Sequence, residues 1–96
     1  MFLIELTYKG AFSEVEPFMA EHLAFVEKNF AKGFFLASGR KVPRTGGFIF
    51  CQAVSQAQVE ELMQEDPFVY QDLVELRITE FVTSRAGAGL TGLLQA

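Results

Sequence analysis

Gly33-Phe34-Phe35-Leu36-Ala37-Ser38-Gly39-Arg40-Lys41-Val42-Pro43-Arg44-Thr45-Gly46-Gly47-Phe48-Ile49-Phe50-Cys51-Gln52-Ala53-Val54 is the stretch on which the fold turns. Phe34 to Ser38 reads as one strand and Gly46 to Val54 as another, because both are short, apolar and rich in strand-forming residues. The polar, proline-containing segment Gly39 to Thr45 joins them as a hairpin. Two strands paired through a hairpin in mid-chain leave each flank needing its own connection to the sheet.

Upstream, the period changes. Between about Pro17 and Lys32, Met19, Leu23, Val26 and Phe30 repeat at helical spacing, with Glu21, Glu27, Lys28 and Lys32 elsewhere; Gly33 closes this helix. Its start is either Ser13, with Glu16 completing a capping box, or Pro17 as the first helical residue. Before it, Phe2 to Tyr8 alternates Phe2, Ile4, Leu6 and Tyr8 against Leu3, Glu5 and Thr7, the signature of a half-covered strand. Downstream, Ser55 with Gln58 opens a second helix through about Gln64 that buries Val59, Leu62 and Met63, and Asp66-Pro67 stops it. Leu73 to Thr83 is a fourth strand, with Val74, Leu76, Ile78 and Val82 on one side. The order predicts an α+β, ferredoxin-like β-α-β-β-α-β domain over residues 1–84 with a four-stranded antiparallel sheet, followed by a Gly/Ala/Leu-rich C-terminal tail over 85–96. That tail reads as a swapped arm or a loosely ordered segment.

Two helices cover only one face of such a sheet. The other face mixes Leu3, Thr7 and Phe81 with Glu5 and Arg77, too apolar for water and too polar for a dry core. With 11 Phe among 96 residues, this predicts a homodimer closed sheet against sheet as a dimeric α/β barrel. The net charge of −4 and the dispersed Lys and Arg offer no basic stripe for nucleic acid. The aromatic pairs Phe34/Phe35 and Phe48/Phe50 fit core and interface, since no basic residues interleave them. The single cysteine, Cys51, forms no internal disulfide and reads as a small buried hydrophobe. No apolar run reaches the roughly 20 residues of a membrane span, and the first residues lack a secretion signal, so the expectation is a cytoplasmic protein without membrane contact. One His and one Cys predict no metal site.

The residues able to carry chemistry are few. His22, on the flank of the first helix's apolar stripe, suits a base working near neutral pH. Asp66, held by an Asp-Pro step, can orient that imidazole and stabilise its cation; Ser38 can donate to a substrate oxygen or act as nucleophile. Structural readings stand beside these. A lone histidine also serves as a packed side chain, Asp66 as the cap of a turn, Ser38-Gly39 as the beginning of a hairpin, and Phe68 as a plug at the core edge.

Ala20-Glu21-His22-Leu23, Leu36-Ala37-Ser38-Gly39 and Asp66-Pro67-Phe68, taken together over roughly residues 1 to 82, resemble the YCII-related family. The resemblance implies a ferredoxin-like fold in the dimeric α/β barrel superfamily, with His22 and Asp66 as an acid/base pair lining a cleft and Ser38 and Gly39 at its strand-end motif. It also implies an arginine one turn before the histidine and a proline after the Ser-Gly step, where this chain has Met19 and Arg40. Arg40, Lys41 or Arg44 can replace the missing charge. The expected function is acid/base chemistry of the isomerase or lyase (dehydrochlorinase) type on a small metabolite, needing no cofactor, with His22, Asp66 and Ser38 catalytic and Gly39, Arg40 and Phe68 contacting substrate. The alternative is a non-catalytic ligand-binding or dimerisation module of the same fold.

Overall fold

Phe2, Ile4 and Leu6 turn to one side of the first strand, β1 (Phe2–Tyr8), and are buried, while Leu3, Glu5 and Thr7 on the other side are only partly covered. That alternation organises the whole chain. The computed structural model describes residues 1–95. After β1 come a single turn, α1 (Phe12–Val15), a 3-10 turn over Glu16–Phe18, and the long helix α2 (Met19–Ala31). The strands β2 (Phe35–Arg40) and β3 (Gly46–Cys51) follow, then α3 (Gln56–Met63), the short α4 (Pro67–Tyr70) and β4 (Val74–Glu80). The strands form one sheet in the order β2-β3-β1-β4, with every neighbouring pair antiparallel. This is the ferredoxin-like arrangement. Ile49, Ile4 and Ile78 sit side by side across β3, β1 and β4 on the covered face, as do Gly47, Leu6 and Leu76.

Local chemistry accounts for most boundaries. Gly33, at φ 81°, takes the left-handed position that ends α2. Ser55 caps α3, its hydroxyl accepting from Gln58 N at 3.2 Å while the Gln58 Oε1 accepts from Val54 N. Gly46 has φ 153°, and a Cβ there would meet the Leu6 carbonyl oxygen at 1.8 Å, so the hairpin passes β1 closely only because it lacks one.

Several boundaries differ from the sequence reading. Ser13 lies inside α1, whose cap residue, Ala11, makes no side-chain cap, so the Ser13/Glu16 capping box does not form; Pro17 instead sits in the 3-10 turn. The second strand runs on to Arg40, which puts Ser38 and Gly39 inside β2 and shortens the turn to Lys41–Thr45. The third strand stops at Cys51 and the fourth at Glu80; Val54 and Val82 are exposed. Asp66-Pro67 not only ends α3 but starts α4, with Asp66 as cap and Pro67 at the first helical position.

The rotation of α2 is the largest correction. Its buried residues are Phe25, Val26 and Asn29, with His22 partly covered one turn earlier, whereas Leu23 is 52% exposed and Phe30 also faces outward. His22 therefore lies on the core-facing stripe itself, not on its flank. Two polar residues on that stripe, His22 and Asn29, shift the apolar count toward Leu23 and Phe30 by about a quarter-turn. Asn29 is accommodated because its Nδ2 donates to the Phe25 carbonyl at 2.9 Å.

Past β4 the chain turns back over one end of the uncovered face. Phe81 N donates to the Met1 carbonyl, and Gln95 ties the tail down by accepting from the Met1 amino group at 2.9 Å and from Thr83 N at 3.1 Å. Ala96, the last residue of the expected tail, lies outside the described residues. Phe48, Phe50 and Phe81 remain exposed on this face, which Glu5 and Lys41 also share. No helix among the described residues is long and apolar enough to cross a membrane.

Candidate functional site

His22 comes from the first half of α2 and Asp66 from the cap of α4, two elements that touch through the covered face of the sheet. The Nδ1 of His22 lies 3.0 Å from each carboxylate oxygen of Asp66. Asp66 is fully buried, and its Oδ1 also accepts from Phe68 N at 3.0 Å in its capping role. Capping and histidine pairing thus use the same carboxylate. An ionised carboxylate accepts and does not donate, so in that form the pair calls for the proton on Nδ1 and leaves Nε2 facing away from Asp66. Isolation in an apolar interior would make that carboxylate costly; two hydrogen bonds, one from a group able to become a cation, offset the cost.

Phe68 fixes the ring from one side. Its ring is parallel to the imidazole, with an interplanar angle of 4° and centroids 4.0 Å apart. It is buried, does not line the cleft and packs against the histidine. Two exposed contacts flank the pair, Tyr70 to Glu21 at 3.0 Å and Lys28 to Glu65 at 3.1 Å. The hydrogen bond to Glu21 pushes the Tyr70 hydroxyl above its ordinary pKa. Contacts this exposed add little to stability, so the docking of α2 on the 65–70 segment rests on His22, Asp66 and Phe68.

Between α2 and the β2–β3 hairpin, on the covered side of the sheet, lies a cleft of about 170 Å3. His22, whose side chain is 14% exposed, reaches it, together with Ser38, Gly39 and Arg40 from β2 and Arg44 from the hairpin turn. Leu6, Tyr8 and Ile49 are among the residues of its floor. Four of the six residues singled out in the sequence therefore share one wall, and a fifth, Asp66, stands behind the histidine. Strand register explains the convergence: Ser38 is opposite Ile49 and Arg40 opposite Gly47, positions that face the helices. Among the described residues Ser38 makes no hydrogen bond to His22. Cys51 is buried in β3 with its thiol pushed up to about 11 by burial, a small core residue outside the cleft.

A model of the YCII-related domain matches residues 1–82. The chain belongs to the YCII-related domain family. Among solved structures, this YCII-related chain is similar to 5-chloro-2-hydroxyhydroquinone dehydrochlorinase from Burkholderia phenoliruptrix in complex with 2,5-dihydroxybenzoquinone. The TM-score is 0.74 at 22% identity, covering 85% of this chain and 93% of that one. At that identity the likeness shows the shared fold. No curated protein matches the chain.

In this YCII-related domain, Phe12 was not singled out from the sequence, and Arg44 only as one of three cations able to replace the missing charge. Arg44 lines the cleft, with its guanidinium carbon 4.1 Å from the centroid of the Phe12 ring. The available signal was the run Arg40-Lys41-Val42-Pro43-Arg44, three cations in five residues. Lys41 does not join them. It points to the opposite face, 2.7 Å from Glu5 and 2.8 Å from Thr7 Oγ1.

Proposed function

We propose that this YCII-related domain is a small cofactor-independent enzyme that moves a proton on a small substrate, by isomerisation or by elimination, with His22 as base and acid and Asp66 as its positioning residue. The observation that carries this reading is the contact of His22 Nδ1 with both oxygens of a fully buried Asp66. With Nδ1 committed, Nε2 takes a proton from a carbon made acidic by a neighbouring carbonyl, and Asp66 stabilises the imidazolium that results. In elimination the C–H electron pair becomes the new C=C bond and the leaving group departs with its own bonding electrons. In isomerisation the imidazolium returns the proton to another carbon of the same substrate. The stacked Phe68 ring keeps the imidazole from swinging out of line. Ser38 and Gly39 stand where a substrate oxygen would be received.

The activity in the structural neighbour's name, dehydrochlorination, is such an elimination, and its ligand is a small ring of the kind a confined cleft admits. We propose further that two copies of this chain associate through the open sheet face, where Phe48, Phe50 and Phe81 are uncovered. The decisive experiment is His22→Ala assayed against a set of small halogenated or enolisable ring compounds. Turnover should fall about 100-fold or more while the circular dichroism spectrum is unchanged. Unchanged turnover on a compound the wild type converts would remove His22 from the mechanism.

A further inference from the structure

The cleft beside His22 is lined by two arginines that no carboxylate among the described residues neutralises. Arg40 ends β2 and Arg44 lies in the hairpin turn; both line the cleft, and no Asp or Glu does. Lys9, Lys28 and Lys41 each lie within ion-pair distance of a carboxylate, whereas among the described residues neither arginine does. The chain carries a net charge of −4, so a carboxylate-free wall with two guanidinium groups is not what a random draw from its surface would supply. Strand alternation sharpens the contrast. Arg40 and Lys41 are consecutive, yet Lys41 goes to Glu5 on the open face and Arg40 to the cleft.

Arg44 is also held in place. Its guanidinium lies over the Phe12 ring at 4.1 Å, a cation–π contact that orients the group and leaves its N–H donors free. Two such groups in one wall repel each other until an anion arrives, and a carboxylate, with two coplanar acceptor oxygens, matches the guanidinium fork. Size limits the rest of the ligand: at about 170 Å3 the cleft has room for one ring, since a cavity of about 150 Å3 holds benzene.

We infer that the substrate of the His22 site is a small carboxylate, with a body of about one ring, anchored through its carboxylate by Arg40 and Arg44. This inference rests on the acid/base reading for its link to turnover, though the anion site itself does not. The anchoring charge fixes one end of the molecule against the hairpin and leaves the carbon to be deprotonated near the imidazole. The same two cations favour the extra negative charge that builds up as that proton leaves.

His22 is the only histidine, so its ring protons give one unambiguous NMR signal for the full-length chain. Benzoate and its neutral isostere benzamide serve as probes. Benzoate should shift the His22 signal saturably and benzamide should not at equal concentration. The double variant Arg40→Gln/Arg44→Gln, with an unchanged melting curve, should bind benzoate at least about tenfold more weakly. Equal response to the two probes, no response to benzoate, or full benzoate affinity in the double variant would each overturn the anion site. His22→Asn, followed by calorimetry, separates the two readings: benzoate affinity should stay within about threefold of wild type while turnover is lost. Turnover retained in that variant would sink the acid/base role and leave the anion site standing.

Discussion

The two faces of this sheet are made by alternate residues of the same strands, and they handle charge in opposite ways. On the open face Glu5 and Lys41 lie 2.7 Å apart among Leu3, Phe48, Phe50 and Phe81, and, both partly covered, neutralise each other. On the covered face Asp66 is fully buried under the helices, and Arg40 and Arg44 have no carboxylate partner among the described residues. A partly covered pair of opposite charges compensates its own desolvation. A buried carboxylate is destabilising unless its bonds are well made, and here they come from the histidine of the cleft and from a backbone N–H. Polar groups kept at core positions, against the preference of an apolar interior, mark the side of the sheet where chemistry is to be sought. The aromatic excess on the other side marks where a partner is to be sought.

The comparison can be broken first at Phe68, which belongs to the covered face twice over, as core residue and as the surface against which His22 stacks. Phe68→Ala should cost about 3–5 kcal/mol in a urea titration, the range for truncating a buried aromatic ring. A loss below about 1 kcal/mol would mean that the interior around His22 collapses freely and does not hold the ring rigidly.

How far the sequence disclosed this division depends on whether a position's role follows from its own side chain. The element order was legible, because the switch from alternating to helical spacing is strong in β1, α2, β3 and α3. The closeness of His22 and Asp66 was legible only through that order and the resemblance to YCII-related proteins, since 44 residues separate them. The rotation of α2 was not, because His22 and Asn29 occupy core-facing positions with polar side chains and Leu23 and Phe30 outweigh them in any apolar count. Nor was the extension of β2, since Gly39 has no side chain to signal a face and Arg40 reads as loop until the register places it opposite Gly47. That the Phe68 ring lies parallel to His22 was not legible either, because the direction of a ring is a tertiary property.

A second prediction tests how completely the covered face excludes water. Burial pushes the Cys51 thiol from 9.0 to about 11, so in the folded protein it stays protonated where an unfolded chain would already have ionised. Its contribution is present in full below about pH 9 and is lost as pH rises through about 11, because the unfolded state gives up the proton first. Wild type should therefore lose about 2 kcal/mol more stability than Cys51→Ala between those limits. Measuring both by chemical denaturation cancels the tyrosines and lysines that titrate alongside. Parallel pH profiles for the two proteins would show that the thiol side of β3 is open to solvent.

The smallest expected effect on stability, and the sharpest test of the open face, comes from Phe50→Glu. Phe50 lies opposite Leu3 and edge-on to Phe81, and at 42% exposed it forfeits only part of an aromatic side chain's burial, about 1 kcal/mol. A carboxylate at that position would be laid against the aromatic rings of a second copy packed sheet to sheet. Desolvating it there would cost far more than the ring contributes to the fold of one chain. Light scattering should therefore give twice the 10.7 kDa chain mass for wild type and the chain mass itself for the variant. The melting curve of the variant should also lose the dependence on protein concentration that an associating protein shows. A monomeric wild type at micromolar concentration would leave the aromatic face without a partner. A variant that still dimerises would place the interface elsewhere and break the link between exposed aromatic surface and assembly.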